Sequence, residues 1–146
     1  MSEMAAFMAL IETASAEGIT TRQHYLKENG PHEMGWNYDN ILEVERSLVR
    51  QLGRKSFFRI YLHTGNGGGK VCYAMKVTAL TTYRKPEVFS DPVDGKRYLV
   101  HSRMTIESID ELGKARILGE FKSVDCRKLD VRHLQLGFLF VVDPEV

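Results

Sequence analysis

The spacing of hydrophobic positions changes near residue 53, from a helical period to a period of two. Met4, Phe7, Met8, Ile11 and Ala14 recur at i, i+3, i+4 and i+7, so residues 3–17 predict a helix that Gly18 would end. Thr20 and Thr21 precede Arg22 to Glu28, a short second helix stopped by Asn29-Gly30-Pro31. Asn40 and Glu43 form a capping-box-like start to a third. Its buried stripe would be Ile41, Leu42, Leu48, Val49 and Leu52, its wet faces Glu43, Glu45, Arg46 and Arg50, and its cap Gly53.

Beyond Gly53, residues 56–63, 71–81, 97–109, 116–121 and 136–142 read as strands, and 87–95, with Pro92 and Asp94-Gly95, as a loop ending in a turn. The expected class is therefore α+β. N-terminal helices precede a five-stranded, mostly antiparallel curved sheet or small pseudo-barrel. Residues 1–34 would pack as a helical segment on a β-rich domain of residues 35–146, in one globular unit.

A chain of 146 residues, 43% hydrophobic and 27% charged, has enough apolar side chains for one core and too many for a disordered segment. No run approaches the roughly 20 apolar residues of a membrane span, and Met-Ser-Glu-Met is not a secretory start. A cytoplasmic protein without membrane contact is expected. Asp143-Pro144-Glu145-Val146 follows the last expected strand closely, which suits either a whole protein or a domain of a longer one.

The net charge of +1 hides an asymmetry. Residues 1–53 carry 4 Lys/Arg against 8 Asp/Glu, whereas residues 54–146 carry 16 against 11. The second part holds the basic pairs Arg54-Lys55, Arg84-Lys85, Lys96-Arg97 and Arg127-Lys128, which would attract a polyanion or simply punctuate strand ends.

Signatures of catalysis are weak. Gly65-Asn66-Gly67-Gly68-Gly69-Lys70 invites a phosphate-loop reading, but Val71 stands where Ser or Thr would bind the metal, and a strand follows instead of a helix. The segment is better read as a flexible hairpin connection. His24, His32, His63, His101 and His133 form no HExxH, and no pair has a Cys at ligand spacing, so neither metal nor cofactor is implied. His63 and His101 could meet across a sheet. Cys72 alternates within an apolar strand as a structural thiol would, and Cys126 lies in a basic loop. The carboxylate pairs read as solvated turns, and GxSxG is absent.

The aromatic residues are more suggestive. Trp36 and Tyr38 lie in the polar segment Gly35-Trp-Asn-Tyr-Asp39, Tyr83 adjoins Arg84-Lys85, and Tyr98 follows Lys96-Arg97. Rings stack on bases while cations neutralise phosphates, and a flipped base can be held between aromatic walls. Trp36 serves equally well as a staple at the start of the third helix. The N-terminal pair of helices resembles a helix-turn-helix presenting Arg22, Gln23 and Lys27. Against that, residues 1–30 hold two cations and four acids, so packing helices are the simpler expectation.

From Trp36 onward the order of features resembles the PUA-like superfamily, nearest its EVE-type domains. The matching pieces are Gly35-Trp-Asn-Tyr-Asp-Asn40, Phe58-Arg-Ile-Tyr-Leu-His63, Tyr73-Ala-Met-Lys-Val-Thr78, Tyr83-Arg-Lys-Pro86, Ser90-Asp-Pro92 and Arg97-Tyr-Leu-Val-His101. They cover about residues 35–122. A helical pair is expected where that family has its N-terminal strand. The resemblance implies a pseudo-barrel that binds DNA or RNA and encloses a modified or flipped base. It also implies a specificity module for an attached or separate effector, such as a nuclease or motor. Carried over, Trp36 and Tyr38 would be pocket walls, Asn37 or His63 an edge-reading partner, and Arg84, Lys85, Lys96 and Arg97 phosphate contacts. Two other classes remain open. One is an assembly or interaction subunit using Met4, Phe7, Met8 and Leu10; the other is a small nucleotide- or RNA-directed enzyme using His63 or His101 as acid/base.

Overall fold

The computed structural model describes the backbone of residues 8–13, 15–37, 41–63, 70–117, 122–123 and 138–142, and the side chains of residues 15–37, 41–42, 45–62 and 71–115. The class is α+β. In chain order the described elements are β1 (Met8–Thr13), α1 (Ala16–Asn29), β2 (His32–Trp36), α2 (Ile41–Lys55), β3 (Phe58–His63), β4 (Lys70–Ser90), β5 (Arg97–Ile117), β6 (Lys122–Ser123) and β7 (Phe138–Val142). Four of the strands form an antiparallel group in the order β2-β5-β4-β3, and the sheet continues through β1, β7 and β6. Among the described residues β2 and β6 do not pair with each other, so the sheet is open rather than a closed barrel.

The largest departure from expectation is at the N-terminus, where β1 replaces part of the helix expected over residues 3–17. It lies inside the sheet, parallel to β3 (Leu10 opposite Ile60) and antiparallel to β7 (Leu10 opposite Phe140). A short apolar run such as Met8-Ala-Leu-Ile11 fits a buried strand as well as a helix face, and ladders on both sides decide between them. Residues 1–7 lie outside the described residues. The segment before residue 35 is thus not only helical, because it supplies both β1 and most of β2 to the sheet.

The other differences concern boundaries. Gly18 does not end a helix; it lies in the first turn of α1, where its amide donates to Ser15 Oγ at 3.0 Å. Ser15 is the N-cap, satisfying a donor that has no partner within the helix. The stop at Gly30 is as expected: its φ of 80° suits glycine, and its N–H reaches Leu26 O at 2.8 Å. α2 runs through Gly53 to Lys55, and the left-handed residue after it is Ser56, with φ of 70°. Asn40 and the Glu43 side chain lie outside the described residues. Ile41 and Leu48 are buried as expected and Leu42 and Leu52 partly so, but Val49 is 49% exposed and Gln51, unforeseen, is buried.

The core joins both helices to one face of the sheet: Ile19, Ile41 and Leu48 meet Trp36, Phe58, Ile60, Leu62, Met75, Val77, Met104, Ile106 and Ile109. β4 and β5 are far longer than expected, at 21 residues each. β4 absorbs Glu87–Ser90, placed in a loop by composition, and β5 absorbs the start of the strand expected at 116–121. The turn is confined to residues 91–96. Register breaks interrupt the hairpin, the largest between Thr82 (opposite Ser102) and Glu87 (opposite Val100). Four residues of β4 there face one of β5. Such bulges bend the bulged strand and increase its twist.

Candidate nucleic-acid interface

The bend has a visible consequence. Beyond it the hairpin tip curls back over the edge strand β2, and Val100 and Phe89 close on Gly35. A Cβ at position 35 would stand 2.5 Å from Val100 Cγ1 and 2.9 Å from Phe89 Cδ2, so only glycine admits this approach. Phe89 also packs edge-on against Tyr98, with ring centroids 5.9 Å apart. Partial burial, with Asp91 adding, raises the Tyr98 phenol above its usual pKa.

Farther along, Asp91 anchors the tip to α1. Arg22 Nη2 donates to Asp91 Oδ2 at 2.6 Å and Nη1 to Oδ1 at 3.3 Å, with the Asp91 side chain only 3% exposed. Arg22 Nη1 also lies 2.9 Å from His32 Nε2. Asp91 organises the turn as well: Oδ1 accepts from Val93 N–H at 2.8 Å, and its backbone bonds Gly95 and Lys96. This cluster was not foreseen, and Arg22 belongs to it rather than to a helix-turn-helix, whose first helix is here the strand β1. Its sequence signal is slight: Asp91-Pro92 marks a turn, but nothing in the chain says that the carboxylate is buried and so must be paired.

The expected site residues fall into three sets. Trp36 is 4% exposed and belongs to the core, where β2 sets it opposite buried Ser102, so its ring offers no open face for stacking. Asn37, just after β2, is exposed, and His101 Nδ1 lies 2.8 Å from its Oδ1. Tyr38 lies outside the described residues, as do the side chain of His63, residues 64–69 including Gly65, Asn66, Gly67, Gly68 and Gly69, and the side chain of Lys70. The strands they join, β3 and β4, are antiparallel neighbours, as a hairpin connection requires.

His63 and His101 do not meet. β4 separates their strands, and His63 is level with Val71 near one end of the hairpin while His101 sits beside the bulge near the other. His101 is instead paired with a carboxamide. Cys72 is a half-buried free thiol in β4, and Cys126 lies outside the described residues.

The four expected phosphate contacts share one hairpin. Arg84 and Lys85 stand in the large bulge, Lys96 and Arg97 at the tip, and all four are exposed. Arg97 pairs with Ser90, five residues beyond Lys85, so the two basic pairs are separated by on the order of 17 Å of strand. Between them an exposed apolar pair, Val88 (59%) opposite Leu99 (52%), shares its face with Arg97, and Tyr98 is 37% exposed. Tyr83, by contrast, is engaged: its hydroxyl accepts from Arg103 Nε at 2.6 Å, and that guanidinium lies 3.6 Å from Glu33. Among the described residues no group of three or more His, Cys, Asp or Glu is placed to hold a metal, and no helix is long and apolar enough to cross a membrane. No protein-family model and no curated protein sequence matches the chain.

Proposed function

We propose that this chain is a PUA-like nucleic-acid-binding module that grips a phosphate backbone along the bent β4–β5 hairpin. The observation that carries the proposal is the placement of Arg84, Lys85, Lys96 and Arg97, four exposed cations on one hairpin within reach of a few successive phosphates. Tyr98, next to Arg97 in β5, packs edge-on against Phe89 and is 37% exposed, so part of its ring is open to an unpaired base. Recognition of a modified or flipped base falls to the Asn37–His101 pair, because Trp36 is committed to the core. Such a module would direct an attached or separate effector to its nucleic acid.

The test is fluorescence anisotropy with labelled single- and double-stranded DNA and RNA over a series of salt concentrations. Binding should weaken linearly in log–log form as salt rises. Lys96→Gln/Arg97→Gln and Arg84→Gln/Lys85→Gln should each lower the slope by about 0.7–0.9 for every phosphate that is no longer neutralised. Absence of salt-sensitive binding to all four polymers would contradict the proposal.

A second reading rests on the Val88–Leu99 pair, which leaves two large apolar side chains exposed together as an interaction subunit would. It predicts self-association or partner capture that salt hardly affects and that Leu99→Ser abolishes.

A further inference from the structure

We propose that the hairpin tip is held over β2 by a proton-sensitive latch, in which neutral His32 keeps Arg22 in its two-pronged grip on Asp91 and protonated His32 loosens it. The latch works in the same way whatever the tip binds. Three elements far apart in the chain meet in it: Arg22 from α1, His32 from β2 and Asp91 from the turn between β4 and β5. The Arg22 and Asp91 side chains are 13% and 3% exposed, so their pairing is shielded from the solvent screening that weakens surface ion pairs.

The chemistry of the middle contact makes it sensitive to protons. A guanidinium has only donors, so the 2.9 Å contact from Arg22 Nη1 requires a lone pair on His32 Nε2. The ring proton then resides on Nδ1, 3.4 Å from the Gly30 carbonyl. Protonating Nε2 replaces that acceptor with a donor and sets a second cation against Arg22. The groups around the ring are Arg22 and Tyr25 from α1, the Gly30 carbonyl before β2, and Asp91 from the turn; Tyr25 packs edge-on at 4.7 Å. Tyr98 from β5 shares the field of Asp91, Arg22 and Asp94.

Burial dominates this balance and Arg22 adds to it. They outweigh the Gly30 hydrogen bond and the attraction of Asp91, so His32 titrates below its ordinary 6.5. Between the lowered value and 6.5 the unfolded or unlatched chain binds more protons than the latched one. The latch is therefore at full strength above 6.5 and weakens as pH falls from there to the folded value of His32.

Three amides report on the latch directly: Asp91 N–H to Lys96 O, Val93 N–H to Asp91 Oδ1 and Gly95 N–H to Asp91 O. Their hydrogen-exchange protection, corrected for the intrinsic pH dependence of exchange, should hold above 6.5 and fall as pH is lowered from there towards the folded value of His32. The drop should be about tenfold for each unit by which His32 is depressed, while amides of β3 keep their protection. His32→Gln, which offers an amide oxygen to Arg22 and does not titrate, should hold the three amides protected across the range. Protection that stays flat in the unaltered protein while NMR shows His32 taking up its proton would overturn the latch. So would a His32→Gln variant that loses protection in parallel with the unaltered protein, since the response would then belong to another group.

Discussion

Trp36 and Gly35 are adjacent in β2 and opposite in their demands. The tryptophan needs to be surrounded, and the glycine needs to have no side chain. With 4% exposure among apolar neighbours, Trp36 contributes as a core residue, and Trp36→Ala should cost about 3–5 kcal/mol of stability. Denaturant melts alongside binding titrations would show it: the variant unfolds at lower denaturant, and whatever stays folded binds as before. A stable Trp36→Ala protein that no longer binds its ligand would restore the ring as a stacking wall. At position 35 even a methyl group meets Val100 Cγ1 at 2.5 Å, so Gly35→Ala should destabilise by about 1–3 kcal/mol, read from the same melts. Neither demand is visible in the polar string Gly35-Trp-Asn-Tyr-Asp39, because Gly35 answers to Phe89 and Val100, more than fifty positions away, and Trp36 to a core gathered from both helices and several strands. The exposure of Arg84, Lys85, Lys96 and Arg97, by contrast, could be read from the residues themselves.

At the scale of elements, type is more legible than extent. β3 and α2 stand nearly where their periods put them, and the changeover after residue 53 is real. Local signals mislead where a tertiary partner decides. Gly18 resembles a terminator but sits in a first turn prepared by Ser15, and β1 resembles a helix until the strands on either side of it are known. Glycine at 53 is likewise passed over, and the helix ends where Ser56 takes a φ of 70° and donates to Leu52 O at 2.9 Å. That conformation costs a non-glycine residue about 1–2 kcal/mol, partly offset in glycine by its greater entropy loss. Ser56→Gly should therefore raise stability by about 0.5 kcal/mol, seen as a small rise in melting temperature. No change or a fall would mean that the serine hydroxyl supplies a compensating bond.

Across the whole molecule, the long β4–β5 hairpin organises the proposed function. Its bulge opposite His101 bends it, Gly35 admits the bent tip, and Asp91 ties that tip to α1. The charge asymmetry in the sequence foreshadows this arrangement only in outline. It separates a basic part from an acidic one, but not the two basic pairs that share a hairpin from the others. Arg54 and Lys55 close α2 instead, where cations suit the helix C-terminus. The most direct measurement is the salt dependence of nucleic-acid binding for the unaltered protein beside Arg84→Gln/Lys85→Gln and Lys96→Gln/Arg97→Gln. The account predicts binding whose log–log slope falls in both variants, with melting behaviour unchanged because all four side chains are exposed. Binding of equal slope in all three proteins would place the contacts elsewhere and contradict the hairpin as the gripping surface.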